Sequence, residues 1–386
     1  MLTFSTLPPL SLYIHIPWCV RKCPYCDFNS HEIKEDVPEE SYINALLQDL
    51  ECDLPRVWGR RIQSIFIGGG TPSVLSPDSI NDLLAGIRAR IPVNPQAEIT
   101  LEANPGTVDY ARFQGYYQAG INRLSIGVQS FDTQQLKNLG RIHSPQHALD
   151  ALSAIKAAGF TNFNVDLMFG LPQQSIEEAL HDLHTLVDLA PPHLSWYQLT
   201  IEPNTYFYQH PPTVPEDDFL WEMQQAGQNF LADKGYHQYE VSAYTRAQQY
   251  CKHNINYWQF GDYLGIGAGA HGKISDAQQG TITRLSKHRH PRQYLTGMTN
   301  KQFIHTENLL NTHDIYLEFM MNALRLSQGF DYTLFEQHTG LPIAPIMPIL
   351  LHASDKGWLL IDKQHIRPTD TGLCFLNELL ELFLQN

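Results

Sequence analysis

Residues Ile62 to Arg90 read IQSIFIGGGTPSVLSPDSINDLLAGIRAR. The apolar run at the start predicts a β-strand, and three glycines end it in a turn. Ser76 followed by Pro77 predicts a helix start. Serine accepts one of the orphan N–H groups there, and proline is already bent for the first helical turn. Apolar residues then recur at helical spacing, at Ile80, Leu83, Leu84 and Ile87. The stretch is one strand–turn–helix unit.

The unit recurs on both sides. LYIHI (12–16) precedes the helical pattern EESYINALLQDLECDL. EITLEANP precedes TVDYARFQGYYQAG, a helix closed by Gly120. RLSIGVQS precedes SPQHALDALSAIKAAG, closed by Gly159. NFNVDLMFGLP precedes SIEEALHDLHTLVDL, and HLSWYQLTIEP is a sixth strand. Strands alternating with helices predict an α/β fold with parallel strands and right-handed crossovers. A doubly wound sheet and a full or partial barrel both satisfy the pattern. In either, ligands bind at the C-terminal strand ends. The polar segments GGGTP, EANP, QSFD and DLMFG all follow strands, so they converge on one rim.

Beyond about residue 215 the pattern changes. EDDFLWEMQQAGQNFLADKG is a helix, YHQYEVSAY alternates like a strand, and GDYLGIGAGAHG is rich in glycine. Residues 275–305 are polar and lack periodicity. The predicted organisation is an α/β unit over 1–270, a linker over 271–310 and a C-terminal domain over 311–386. That domain reads as helix (313–325), short helix (331–337), helix (342–356), the hairpin WLLIDKQHIRPT and a final helix (370–384), an order similar to a winged helix. Residues 305–386 hold ten Asp and Glu against four Lys and Arg, which favours a packing or lid domain over a DNA reader.

The 386 residues are 43% hydrophobic and 17% charged, a globular composition. A net charge of -14 repels phosphate backbones and argues against nucleic acid as a partner. No apolar run reaches the roughly 18 residues of a membrane span. The N-terminus, MLTFSTLPPL, lacks the basic start and apolar core of a secretory signal. The expected location is the cytoplasm, where the six cysteines stay reduced.

Three of those cysteines cluster in YIHIPWCVRKCPYCDF, Tyr13 to Phe28. Cys19, Cys23 and Cys26 follow C-x3-C-x2-C. A structural zinc site needs four ligands, so the fourth would be a histidine such as His15 or His31. An iron–sulfur cubane held by three thiolates leaves one iron open, which is useful where something else binds it.

C-x3-C-x2-C with an aromatic residue before the last cysteine resembles the signature of the radical S-adenosylmethionine (SAM) superfamily. The resemblance implies a partial (β/α)6 TIM-type barrel. It implies a [4Fe-4S] cluster on Cys19, Cys23 and Cys26, with SAM chelating the open iron and cleaved by an electron from the cluster to a 5′-deoxyadenosyl radical. GGGTP, with Gly69, Gly70 and Thr71, resembles the turn that grips the methionine moiety of SAM. A zwitterion bearing a ribose needs a cation for its carboxylate and acceptors for its amine and hydroxyls. Arg141 in NLGRIHS can supply the first; Glu102, Gln129 and Asp166 at strand ends can supply the second. Their order and spacing resemble the coproporphyrinogen III dehydrogenase-like branch, which implies SAM contacts for Tyr13 and Tyr25 too. The resemblance runs through nearly the whole chain.

Two features bear on the position within that branch. The dehydrogenases carry a further cysteine where this chain has Phe28, and a long segment before the cluster motif where this chain has 18 residues. Both departures match the haem chaperones of the branch. HNINY resembles their H-N-x-x-Y motif. It implies His253 as the haem contact, with Asn254 and Tyr257 in support; histidine commonly holds haem iron. The plain alternative is a histidine satisfied by a backbone carbonyl near a helix end. His271 is a weaker candidate. The resemblance thus implies a haem chaperone with a cluster and SAM, partnered by haem, a haem-acceptor protein and a reductant. A membrane-peripheral acceptor and a homodimer stay open. The alternative activity is oxygen-independent oxidative decarboxylation of coproporphyrinogen III, and a third class is a structural zinc protein.

Overall fold

A computed structural model describes residues 2–384. Among these residues twelve strands share one mixed sheet, here numbered in chain order. They are β1 (Leu10–Ile16), β2 (Ile62–Gly69), β3 (Val93–Ala103), β4 (Arg123–Gln129), β5 (Phe163–Phe169) and β6 (His193–Gln198). Then come β7 (His237–Glu240), β8 (Ala243–Thr245), β9 (Asp262–Ile266), β10 (His271–Asp276), β11 (Thr281–Lys287) and β12 (Ile304–Leu309). Their order is β12-β11-β10-β9-β1-β2-β3-β4-β5-β6-β8-β7. It has two ends, so the sheet is open, a partial barrel. The first six strands run parallel in sequence order, as the alternation predicts.

Local chemistry sets the crossovers. Ser76 caps the helix Pro77–Arg90 by accepting from the Ser79 N–H. Ser144 and Ser175 each open a helix with a capping box, and Gly120 closes one in the left-handed conformation. Residues alternate along each strand. Leu10, Leu12, Ile14 and Ile16 belong to the main core with Leu83, Leu84 and Ile87. Ser11 and Tyr13 turn the other way, where Ser11 bonds Ser64 and Tyr13 stacks on Phe66.

Residues 271–310 do not form the expected linker. They supply β10, β11 and β12 and the helix Pro291–Asn300. The glycine-rich GDYLGI is β9, paired parallel to β1 at the centre of the sheet. The polar look of this region misleads because two of its three lysines, Lys273 and Lys287, are buried in ion pairs. Lys273 meets Asp262 at 2.8 Å, and Lys287 meets Asp49 and, at 2.7 Å, Asp53. Charged residues are almost never fully buried unless paired. YHQYEVSAY is two short antiparallel strands, not one.

The C-terminal residues build a second core around Phe319, Phe335, Leu350 and Ile366. Helices Thr312–Ala323, Tyr332–Thr339 and Met347–Asp355 precede a hairpin, Leu359–Asp362 with His365–Pro368. The expected final helix is broken at Phe375 into Asp370–Cys374 and Leu376–Glu381.

Candidate functional site

The cysteine loop leaves β1 and is pinned by a short parallel pair, Trp18–Cys19 with His31–Glu32. Each thiol has its own polar neighbour. Thr71 Oγ1 donates to Cys19 Sγ at 3.4 Å, Arg141 Nη1 donates to Cys23 Sγ at 3.6 Å, and Ser30 Oγ lies 3.8 Å from Cys26 Sγ. Burial pushes the Cys19 and Cys26 thiols above their ordinary pKa. Among the described residues no three His, Cys, Asp or Glu side chains gather as ligands of a single metal ion. His15, one of the two histidines considered for zinc, is engaged at both ring nitrogens, by Tyr13 OH at 2.9 Å and the Asn29 carbonyl at 2.8 Å.

All three cysteines line a cavity of about 330 Å³ at the C-terminal ends of β1–β6. The same cavity is lined by Tyr25, Gly69, Gly70, Thr71, Glu102, Gln129, Arg141 and Asp166. The topology therefore brings together eleven sequence-predicted residues from six loops and strand ends.

The glycine turn is packed without slack. Gly69 has φ +113°, and a Cβ there would sit 2.5 Å from the His15 ring. A Cβ on Gly70 would sit 2.6 Å from the Trp18 carbonyl. Only glycine fits such positions. The N–H groups of Gly69, Gly70 and Thr71 are all used, by Glu102 Oε2, Ile16 O and Trp18 O.

Gln129 ends β4 at φ +75°, where the β4–β5 register slips between Gly127 and Gln129. A bulge with a left-handed non-glycine residue re-aims a side chain, and such strain clusters at functional sites. Tyr197 OH donates to Gln129 Oε1 at 2.8 Å and holds it. Tyr197 also lines the cavity, and sequence reasoning missed it. Its place at the end of the sixth strand was the available signal.

Burial, then the nearby Asp166, push the Glu102 carboxyl up to about 8, against the Gly69 N–H that favours the carboxylate. Burial also raises Asp166, which accepts from Asn164 at 2.7 Å. Arg141 donates to the Gly127 carbonyl at 2.5 Å, and its buried Nε has no partner among the described residues. Burial opposes its charge, but Tyr25 and Cys23 outweigh that and raise its pKa. Three thiols, an unsatisfied guanidinium N–H and two buried carboxyls suit a cluster plus a ligand that is both anionic and cationic. The residues fit both groups.

Tyr13 is not in the cavity wall; its hydroxyl acts on His15 instead. His253, Asn254 and Tyr257 are elsewhere too. They lie on the helix Lys252–Trp258, which packs on the N-terminal halves of the strands. His253 is 1% exposed, with Nδ1 on Ser64 Oγ and Nε2 on Tyr257 OH, both at 2.9 Å. Burial pushes its pKa down to about 3. Both ring nitrogens are engaged by side chains in this structure, and the expected haem contact lies apart from the rim cavity. Its partners are two hydroxyls, not the backbone carbonyl considered as the alternative. His271 is exposed at the start of β10.

Residues 13–186 match the family described as Radical SAM superfamily, and residues 310–375 match the HemN C-terminal domain. The heme chaperone HemW of Escherichia coli (strain K12) is 52% identical over 378 residues, covering 98% of this chain and 99% of that protein. The heme chaperone HemW of Bacillus subtilis (strain 168) is 32% identical over 97% of this chain and 99% of that protein. Among solved structures, coproporphyrinogen III oxidase (HemN) from Escherichia coli superposes with a TM-score of 0.83 at 24% identity, covering 98% of this chain and 90% of that one. The chain belongs to the radical SAM superfamily and, within it, to the family of the HemW haem chaperones.

Proposed function

We propose that this protein binds haem and hands it to an acceptor protein, using a [4Fe-4S] cluster on Cys19, Cys23 and Cys26 with SAM beside it. The observation that carries the proposal is the single rim cavity shared by the three thiols and the unsatisfied Arg141 guanidinium. Likeness across the whole chain to proteins named heme chaperone supports the haem part.

When bound, the cluster with SAM supplies one-electron chemistry. The chain's own residues bind and orient. Arg141 lines the cavity and faces the SAM carboxylate with its guanidinium charge. The glycine turn has spent its N–H groups internally, so it offers carbonyls to the SAM amine. Glu102 and Asp166 accept from the amine and the ribose hydroxyls. Gln129, held by Tyr197, completes the polar wall. Glu102 is protonated at neutral pH in the ligand-free site, and a cationic ligand displaces that proton.

Anaerobic reconstitution followed by haem titration and transfer to an apo-haem protein tests the proposal. The expected result is stoichiometric haem binding, transfer to the acceptor and no vinyl product from coproporphyrinogen III. Vinyl product over multiple turnovers overturns it.

A further inference from the structure

Asp166 lines the rim cavity, and its carboxyl is served from beneath. Asn164 lies two residues earlier on β5, so both side chains point to one face. Asn164 Nδ2 donates to Asp166 Oδ1 at 2.7 Å and to Ser125 Oγ at 2.8 Å. Its Oδ1 accepts from Ser195 Oγ at 3.1 Å and from His193 Nδ1 at 2.7 Å. His193 opens β6 directly opposite Asn164 in the β5–β6 register, and both residues are buried.

His193 decides the direction of these bonds. Burial, then the Arg123 charge, hold it well below its ordinary pKa, so the ring is neutral and carries one proton. Nε2 lies 2.8 Å from the Tyr239 hydroxyl, whose oxygen accepts from the Cys251 N–H at 3.3 Å. The hydroxyl hydrogen is left for Nε2, and the ring proton sits on Nδ1. An amide has a donor end and an acceptor end, and a half-turn exchanges them. With Nδ1–H in place, a half-turned Asn164 would set N–H against N–H and its oxygen against the Asp166 carboxyl. The donors thus run one way, from the Cys251 N–H through Tyr239, His193 and Asn164 to Asp166. Asn164 is among the groups that favour the charged form of Asp166 against burial.

We infer that His193 is a positioning residue for SAM: through Asn164 it keeps an N–H on Asp166, and so keeps that carboxyl an acceptor for the ligand of the rim cavity. His193 does not itself line the cavity. The inference rests on the SAM reading above, which sets Asp166 against the ligand. It also ties the SAM site to the start of the helix Lys252–Trp258, whose N-cap is Cys251.

Calorimetric titration of SAM into the anaerobically reconstituted full chain, with melting temperature beside it, tests the inference. An asparagine amide replaces the imidazole at the level of Nδ1, and a glutamine amide at the level of Nε2. His193→Asn therefore keeps a donor for Asn164, while His193→Gln keeps a partner for Tyr239 and more of the buried volume. SAM affinity should fall about tenfold in His193→Gln and stay within about twofold of wild type in His193→Asn. Melting temperature should rank the two the other way. In an Asp166→Asn background both should bind SAM equally, because the route to the ligand is cut. Tyr239→Phe, which frees the ring to take either tautomer, should weaken SAM about two- to fivefold. Iron and sulfide content at the wild-type level shows that each variant carries the cluster. SAM affinity that follows melting temperature, with His193→Gln above His193→Asn, makes His193 merely structural and overturns the inference. A difference between the two variants that survives Asp166→Asn overturns the route through Asp166. Both results leave the SAM reading standing. No SAM binding by the wild type with a full cluster overturns that reading and the inference together.

Discussion

The interior of the partial barrel has two polar ends, and they differ in access. At the floor, His253 is closed by Ser64 and Tyr257, and His193 is closed by Asn164 at 2.7 Å and Tyr239 at 2.8 Å. At the rim, Arg141 Nε has no partner among the described residues, Gln129 is held at positive φ, and Glu102 carries a carboxyl raised to about 8. A group met inside the chain has repaid its desolvation there. The floor is not wholly met: the buried Arg123 Nε makes no hydrogen bond among the described residues and lies 3.9 Å from Glu98 Oε2. The difference is access, since the floor histidines are buried beneath side-chain partners and the rim groups line a cavity.

The sharpest way to break this contrast is to remove a thiol. Cys23→Ala should leave no [4Fe-4S] cluster after reconstitution, read as iron and sulfide content, while His253→Ala should retain full content. If both variants lose the cluster equally, floor and rim are one unit.

Next in size is the floor itself. His253→Ala leaves the Ser64 and Tyr257 hydroxyls short of a buried partner and opens a cavity. It should cost about 2–4 kcal/mol in urea unfolding. A change near zero would show that the helix Lys252–Trp258 does not close the floor.

At the rim the effect moves from stability to affinity. Arg141→Gln should weaken SAM binding about 10- to 100-fold, as expected for losing a charge-assisted contact, with little change in melting temperature. Loss of stability without loss of affinity would reverse its assignment.

Glu102 adds a pH dependence. The raised carboxyl is protonated below about 8 in the free site, and a cationic ligand favours the carboxylate. SAM affinity should therefore rise as pH rises towards about 8 and level off above it, by at most about tenfold per pH unit. The ligand-free protein shows the opposite sign: its stability falls as pH climbs from the ordinary carboxylate range to about 8. Glu102→Gln should flatten both profiles in calorimetric titrations. The smallest effect is Tyr197→Phe, which frees Gln129 and should weaken SAM by about threefold to tenfold.

Much of this molecule is legible in one dimension. Serine caps, closing glycines and apolar periodicity are local signals, so six strand–helix units and their shared rim follow from sequence. The three cysteines lie within eight residues, so their cooperation needs no tertiary information. What is not legible is long-range saturation. HNINY looks functional because a histidine beside a tyrosine can bind iron, yet Ser64 arrives from 189 positions away to close the ring. Residues 271–310 look like a linker because lysines usually face water, yet Asp49 and Asp53 arrive from more than 230 positions away to bury Lys287.

The chain by itself determined the superfamily, the parallel α/β frame and the clustering of three cysteines, since these depend on spacing along a backbone. Only the tertiary structure decided which polar residues are spent and which are free. It closed both ring nitrogens of His253 with hydroxyls and made strands of the expected linker. The reason is physical: a polar side chain's role depends on whether its hydrogen-bonding capacity is met, and the groups that meet it are brought by the fold.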